Sequence, residues 1–95
     1  MNNPYTNGIG LVLVKPENDS RIYLLKATNA LIKAGDLILV NTKHGTEIAT
    51  CMCDTFTMEM DSEEYRKIVR RMGVSEPLEK VVGIYRLERY PEETI

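Results

Sequence analysis

Two cysteines and the chain's single histidine carry the side chains best suited to binding a metal: Cys51, Cys53 and His44. A closed structural zinc site needs about four sulfur or nitrogen ligands. Cys51 and Cys53 are one residue apart in a predicted strand, so their side chains share a face, whereas His44 lies roughly 20 Å from Cys51 along the strand. One copy of the chain cannot gather these ligands without a sharp fold-back. We predict no metal site and expect both cysteines to be small packing residues; the alternative is a site shared between two copies.

The two cysteines are not expected to form a disulfide with each other. Their side chains stand roughly 6.5–7 Å apart on one strand, which is too far for an unstrained bond. Unpaired thiols are typical of a reducing compartment, and the first residues lack the basic and apolar regions of a signal peptide. The longest apolar stretch, Ile9–Val14, is too short for a membrane span. The sequence therefore predicts a cytoplasmic protein that does not enter a membrane.

The sequence offers no recognisable catalytic set. Nucleophilic catalysis needs a base beside a serine or cysteine, and the histidine at the predicted hairpin tip has no such neighbour in the sequence. The six glycines are dispersed, so no Gly-rich loop is available to bind phosphate or a dinucleotide. We predict that the chain is not an enzyme and uses no cofactor.

Four cations fall on the side of the predicted helix that is opposite its apolar stripe. Together with two arginines near the last strand they could contact phosphate; these candidates are Arg66, Lys67, Arg70, Arg71, Arg86 and Arg89. The helix dipole explains the first four more simply, because acids cluster at the helix start and cations at its end. The net charge is −2 and the pI is about 5.4, which argues against a generally basic nucleic-acid binder. Nucleic-acid binding is therefore the alternative function.

An apolar series occupies alternate positions just before the helix: Phe56, Met58 and Met60. In a strand these side chains face one way. Methionine is flexible and adapts to many surfaces, so an exposed series of this kind marks an interface. If buried, the same residues belong to the core. We name Phe56, Met58 and Met60 the candidate interaction surface.

Length and composition indicate one small globular domain. The 95 residues are 43% apolar and 27% charged, which is ordinary for a folded chain and unlike a disordered one. We expect a flexible leader over residues 1–8, the domain over residues 9–90 and a flexible tail over residues 91–95. The core of a domain of this size is shallow, so self-association would bury further apolar surface.

Five strands are predicted from apolar runs bounded by turn residues. The third and fourth are joined by a tight turn at 43–45, where Gly45 supplies the positive φ of a three-residue loop. The fourth strand is long enough to require a bend or bulge. The predicted strands are two within a hairpin over 9–27, a third over 37–42, a fourth over about 46–57 and a fifth over 81–87.

Residues 61–72 are predicted to form a helix between the fourth and fifth strands. Asp61 or Ser62 can cap its N-terminus, Gly73 is a typical C-terminal cap, and apolar residues recur at helical spacing. The strand and helix periodicities together predict the buried residues. These are Leu11, Leu13, Leu24, Leu39, Ile48, Ile68, Val69, Met72, Val82 and Ile84.

Residues 23–47 follow a pattern found in small β-barrel domains: an aromatic strand with Tyr23, then Gly35-Asp36 opening an apolar strand, then a turn at Gly45. This segment resembles the SH3-like barrels of ribosomal and transcription-factor proteins. It is also similar to the bacterial C-terminal domain family named after a yeast polymerase-suppressor protein, but departs from that family after Glu47, where no glycine follows. The resemblance covers about a quarter of the chain, and it implies a regulatory or scaffolding role.

The order β-β-β-β-α-β predicts a mainly β fold with one helix, a small SH3-like or OB-like barrel. An OB-like barrel usually has its helix between the third and fourth strands, so the position of this helix favours the SH3-like form. We predict a non-catalytic binding or assembly module that pairs with itself or with a protein partner through strand edges and the candidate interaction surface. The alternative is a nucleic-acid-binding barrel.

Overall fold

The computed structural model describes residues 8–75 and 77–86. They form one antiparallel sheet of six strands and one helix, which confirms the prediction of a mainly β domain with one helix. Arg89 and nearly all of the predicted leader and tail lie outside the described residues. The elements are β1 Gly8–Pro16, β2 Tyr23–Lys26, β3 Leu37–Thr42, β4 Gly45–Cys51, β5 Phe56–Glu59, α1 Glu63–Met72 and β6 Gly83–Arg86.

β1 lies inside the sheet and pairs along both of its edges. One edge pairs with β2. The other pairs first with β4, where Val14 lies opposite Cys51, and then with β5, where Leu11 lies opposite Phe56. Between these two residue pairs, the stretch from Cys51 to Phe56 is two residues longer than the stretch of β1 from Leu11 to Val14 that it faces. The segment between β4 and β5 therefore bulges. The predicted fourth strand is therefore two strands, β4 and β5, which lie along one edge of β1 with the predicted bend between them. The sheet of the described residues has six strands, whereas five were predicted.

Both faces of β1 are buried, as its continuous apolar sequence predicts. Leu11, Val12 and Val14 are each 0% exposed. One face contributes to a cluster between β1, β2, β3 and β4, formed by Val12, Val14, Leu25, Ile32, Ile38, Val40, Ala49, Cys51 and Val81. The other face meets the helix in a second cluster, formed by Leu11, Leu24, Tyr65 and Leu78.

The helix begins and ends where its capping residues predict. The Ser62 hydroxyl accepts a hydrogen bond from the Tyr65 N–H (3.1 Å) and donates one to the carbonyl of Glu59 (2.7 Å). Gly73 ends the helix with a φ of 66°, a conformation that glycine adopts without steric cost. Tyr65 is buried in the second cluster, and the rest of the apolar stripe packs beside it.

The hairpin between β3 and β4 has a two-residue loop, Lys43-His44, because Thr42 and Gly45 still pair across it. The prediction of a three-residue loop is wrong by one residue. The positive φ expected at Gly45 is present, at 105°. This hairpin carries His44 at its exposed tip.

Of the ten residues predicted to be buried, two are buried in the structure, six are half-buried and two are exposed. Leu11 and Leu24 are buried, and Leu13, Leu39, Ile48, Ile68, Val69 and Met72 are half-buried. Val82 and Ile84, however, are 51% and 38% exposed, whereas Val81 is 2% exposed. The reason is that β6 starts only at Gly83, and Val81 instead lies against the edge of β2, where its side chain points inwards.

The sheet is not closed, so the predicted barrel is not confirmed. The strand order is β2-β1-β4-β3-β6, with β5 on β1. In the described residues, one isolated parallel bridge, Lys26 to Lys80, links β2 to the segment that precedes β6. There the Lys26 N–H donates to the carbonyl of Glu79 (2.8 Å), and the Val81 N–H donates to the carbonyl of Lys26 (3.0 Å). In residues 8–75 and 77–86, no helix has the length and apolar character needed to cross a membrane.

Candidate functional site

A cavity of about 500 Å³ opens at one end of the sheet, where the β1–β2 connection faces the β3–β4 hairpin. Its volume is within the usual range of small-ligand and peptide-side-chain sites. Its walls come from three separate stretches of the sequence, residues 14–25, residues 40–47 and Glu79. The lining residues are Val14, Pro16, Asn18, Asp19, Arg21, Tyr23, Leu25, Val40, Asn41, Thr42, Lys43, His44, Glu47 and Glu79.

The floor of the cavity is apolar and belongs to the first buried cluster. Val14, Leu25 and Val40 come from three different strands and all line the cavity. They are 0%, 9% and 2% exposed, so their positions are fixed by packing on the other side.

One rim of the cavity is a group of three polar residues in the β1–β2 connection. The Tyr23 hydroxyl donates a hydrogen bond to Asp19, and the Arg21 N–H donates another to the same carboxylate (2.9 Å). The hydrogen bond from Tyr23, and after it the one from the Arg21 main chain, lowers the pKa of Asp19 to about 2. The Arg21 guanidinium also lies 5.4 Å from the centre of the Tyr23 ring. The charges of Asp19 and Arg21 are thus matched within this rim.

The opposite rim is the β3–β4 hairpin. The Thr42 hydroxyl donates to the Glu47 carboxylate (2.9 Å) and accepts from the N–H of His44 (3.0 Å). The Thr46 hydroxyl donates to the side-chain oxygen of Asn41 (2.9 Å). Lys43 and His44 are exposed at the tip. These hydrogen bonds hold the hairpin in shape and leave the side chains of Lys43 and His44 facing solvent.

The segment 79–82 lies between β2 and β3 and bonds to the main chain of Lys26 on one strand and Leu39 on the other. Leu39 accepts a hydrogen bond from the Val82 N–H (2.8 Å), so its main-chain groups point away from β4. Groups alternate in direction along a strand, so those of Asn41 point to the same side. Lys26 bonds outwards in the same way on β2, and the main-chain groups of Leu24 therefore point to the side of the gap between β2 and β3, but Leu24 is 1% exposed and does not line the cavity. In the part of the chain that the structure describes, neither Leu24 nor Asn41 has a main-chain partner on this side.

The candidate interaction surface is divided by the fold. Phe56 and Met58 are half-buried and pack against the helix cluster, whereas Met60 is 46% exposed. β5 itself lies at an edge and pairs only with β1 among the described strands. Gly10 on β1 accepts from the Ala27 N–H on its far side (2.9 Å), so Thr57, which lies opposite Gly10, directs its main-chain N–H and C=O to the outer edge of β5.

The candidate phosphate contacts do not form one compact site. Arg66, Lys67, Arg70 and Arg71 are exposed along α1, and Arg86 is exposed on β6. Arg66 lies 3.9 Å from the carboxylate of Glu63 one turn earlier. Glu63 and Glu64 begin the helix, and Arg70 and Arg71 end it, which is the arrangement that the helix dipole favours.

Cys51 is the last residue of β4 and Cys53 lies in the bend between β4 and β5, so the two cysteines do not share one strand as predicted. Cys51 is 1% exposed, and the half-buried Cys53 packs against the same cluster. Burial, then the nearby charge of Asp36 and then Cys53, raise the pKa of the Cys51 thiol to about 12, so it stays protonated at neutral pH. Among residues 8–75 and 77–86, no group of three or more His, Cys, Asp or Glu side chains is placed to hold a metal ion.

Sequence reasoning missed the cavity because its lining is assembled from residues that are far apart in the chain. The signal available in the sequence was the concentration of polar residues in two turns, 16–20 and 43–45. Each turn ends a hairpin, and pairing of β1 with β4 brings both turns to one end of the sheet. No protein-family model, curated protein or solved structure matches this chain.

Proposed function

We propose that the domain is a non-catalytic assembly module that forms a symmetric dimer through the outer edge of β5. The observation that supports this is the position of β5: it is an edge strand whose inner side is fixed by β1 and whose outer side carries the main-chain groups of Thr57. Unpaired edge groups of this kind pair readily with another strand. The partner best placed to match them is the same edge of a second copy.

The side chains around Thr57 suit such a contact. Phe56 and Met58 pack inwards and hold the strand in place. Met60 is exposed and offers a flexible apolar side chain beside the edge. An antiparallel pair centred on Thr57 places Glu59 opposite the Thr55 of the second copy, so the nearest acids do not face one another.

Light scattering tests the dimer. At micromolar concentration the expected mass is about twice the monomer mass of 10.8 kDa. Thr57→Pro removes the outward N–H without touching the bonds to β1, since proline is accepted at strand edges on the solvent side. It should give monomers, while Thr57→Ala, which keeps the N–H, should remain dimeric. A monomeric wild-type protein at all accessible concentrations would contradict the assembly function.

The second proposed function is nucleic-acid binding, which is supported by the four exposed cations of α1. It requires an affinity for single-stranded RNA or DNA that falls steeply with salt. Fluorescence anisotropy with a labelled oligonucleotide at low and moderate salt measures this. If the domain binds, Arg70→Glu should weaken binding, and Arg21→Glu, on a different surface, should not. The low pI makes this the weaker proposal.

We also propose that the fold is an open relative of the small SH3-like barrels. The strand order and the single bridge from Lys26 to Lys80 support this proposal, because that bridge lies where a barrel would close. The lack of catalytic activity and a cytoplasmic location stay predictions of the sequence.

A further inference from the structure

We propose that a trough on one face of β1 and β5 binds an arginine side chain of a partner protein, with the guanidinium flat on the main chain of β1 and paired to Glu59. The trough is a cavity of about 450 Å³, which we call the glycine trough. It lies on the face of β5, whereas the proposed dimer uses the edge of that strand, so the inference goes beyond the assembly function. The lining residues are Gly8, Gly10, Ala27, Thr28, Asn29, Ala30, Thr55, Thr57 and Glu59.

The floor of the glycine trough is a stretch of β1 without side chains. Gly8 and Gly10 are two residues apart, so they belong to the same face of the strand. Thr57 lies opposite Gly10 and Glu59 lies opposite Gly8, so both side chains rise on one side of the floor. On the other side the Ala27 N–H donates to the carbonyl of Gly10 (2.9 Å), and the chain that follows β2 forms the second wall.

The glycine trough is accessible from solvent. Gly10 on its floor is half-buried, and Thr57 and Glu59 on one wall are exposed, as is Thr28 on the other. A side chain of a partner can therefore reach the main chain of β1 without any rearrangement of the described residues.

Nothing in the described chain requires a glycine at position 10. Gly10 does not have a positive φ, and β1 pairs with β5 through this position without a bulge. A Cβ atom at Gly10 would have atoms of Ala27 and Thr55 as its nearest neighbours, at 3.5–3.8 Å, which is ordinary contact distance. A glycine inside a strand often marks the close approach of a ligand or of another chain, and this explanation fits Gly10.

The lining of the glycine trough favours a cation. Among its described lining residues, Glu59 is the one that carries a charge. In residues 8–75 and 77–86 the Glu59 carboxylate has no ion-pair partner. The carbonyl oxygen of Ala27 lies 3.5 Å from the Cβ position of Gly10 and accepts no main-chain hydrogen bond within the described chain. The trough thus offers acceptors to a positively charged group that carries several N–H donors.

The shape of the glycine trough favours a guanidinium over an ammonium. A guanidinium is planar, so it can lie on the flat peptide groups of the floor where no side chain intervenes. Its forked N–H groups also match a carboxylate with two hydrogen bonds. The ammonium of lysine supplies the charge without the plane. We therefore expect the trough to prefer arginine to lysine, and to prefer both to a neutral side chain of similar shape.

The test titrates three blocked pentapeptides into the full chain and follows binding by NMR. Each has two glycines on either side of a central arginine, lysine or citrulline; citrulline is planar like arginine but uncharged. The arginine peptide should bind about tenfold more tightly than the citrulline peptide, and more tightly than the lysine peptide. Equal binding of the arginine and citrulline peptides would overturn the proposal. Lysine binding as tightly as arginine would exclude the flat placement on the floor.

The same titration locates the site without any variant. The amide signals of Gly8 and Gly10 should shift as the arginine peptide is added, and that of Gly45, in the β3–β4 hairpin, should not. An unchanged Gly10 signal at saturating peptide would exclude this site.

Two variants test the wall and the floor. Glu59→Gln removes the charge and keeps the shape, so it should weaken binding of the arginine peptide about tenfold, whereas Glu17→Gln, in the β1–β2 connection, should bind like the wild type. Gly10→Val places methyl groups in the trough and should weaken binding as well, with urea unfolding as the check that it folds. A folded Gly10→Val that binds like the wild type would contradict the proposed floor.

The variant at Glu59 also separates this proposal from the dimer. Glu59→Gln should lose peptide binding and remain dimeric, because the edge of β5 pairs through main-chain groups. A monomeric protein that binds the arginine peptide would contradict the assembly function and support the glycine trough. If Glu59→Gln abolishes the dimer, an arginine of the second copy occupies the trough, and the proposal of a separate partner fails.

Discussion

The hydroxyl of Tyr23 donates a hydrogen bond to the carboxylate of Asp19, four residues earlier in the chain. The bond spans the connection between β1 and β2, and the guanidinium of Arg21 lies over the same tyrosine ring. These three side chains give the exposed connection a defined shape. That shape forms one wall of the cavity, so the geometry of the candidate site depends on a local polar group as well as on the buried core.

The Asp19 carboxylate should therefore titrate at unusually low pH. The Tyr23 hydrogen bond is the largest cause of the lowered pKa, which is about 2. Tyr23→Phe removes that bond and should raise the pKa of Asp19 towards the ordinary value of about 3.9, with the Arg21 contacts keeping part of the shift. NMR titration of the Asp19 carboxyl carbon measures it. An unchanged pKa in the variant would mean that the hydrogen bond does not form in solution.

The sign of the stability effect follows from the same shift. Because the pKa of Asp19 is lower in the folded chain than in the unfolded chain, its contribution to the free energy of unfolding is complete above about pH 4. That contribution is lost as the pH falls through about 2. Tyr23→Phe should make the unfolding free energy less dependent on pH in this range. Denaturant unfolding of both proteins at pH 2 and pH 5 provides the comparison.

Cys53 should react with alkylating reagents before Cys51 does. The thiolate is the reactive form, and Cys51 is both almost fully buried and protonated at neutral pH. Mass spectrometry of the protein after brief iodoacetamide treatment at pH 7.5 should find the label on Cys53 alone, and on both residues after unfolding. Equal labelling of the two in the folded protein would show that the end of β4 opens easily.

Alkaline pH should destabilise the fold through Cys51. Its pKa is about 12 in the folded protein, against about 8.5 for an unfolded thiol. The unfolded chain therefore releases its proton first, and stability is complete below about pH 8.5 and declines as the pH rises towards 12. Lysines and tyrosines titrate in the same range, so the measurement is the difference between the wild type and Cys51→Ala at pH 8 and pH 10. The wild type should lose more stability than the variant.

The helix should be held to the sheet mainly by Tyr65. This residue is 3% exposed, whereas Ile68 on the same stripe is half-buried. Tyr65→Ala should lower the unfolding free energy by about 3–5 kcal/mol, and Ile68→Ala by about 2 kcal/mol. Lys67→Ala, on the exposed side of the helix, should change it by less than about 0.5 kcal/mol. Equal effects of Tyr65→Ala and Lys67→Ala in urea unfolding would show that the helix does not pack on the sheet.

Local signals in the sequence were enough to predict most elements of the fold. Gly45 and Gly73 require positive φ and so locate a hairpin and a helix end, and Ser62 caps the helix as its side chain predicts. The length of the fourth strand predicted its bend. Each of these depends on a few neighbouring residues, which the sequence gives directly.

The inward face of β3 and the segment before β6 could not be predicted in this way. Leu37-Ile-Leu-Val40 is apolar at every position, so alternation does not distinguish its two faces, and pairing with β4 decides that Ile38 and Val40 are buried. A shift of one residue exchanges the faces of a strand. The burial of Val81 and the position of the cavity beyond it depend on the same kind of long-range pairing.

Lys26 is bonded to a segment more than fifty residues further along the chain, and this has a consequence for how the domain folds. Such a contact forms only after a large loss of loop entropy, so we expect β1, β2 and the β3–β4 hairpin to assemble first and residues 79–86 to join after the main barrier to folding. Truncation of Val81 should then speed unfolding several-fold and leave the folding rate almost unchanged. The last strand would be the part of the sheet that detaches most often, and its detachment would open the gap beside it.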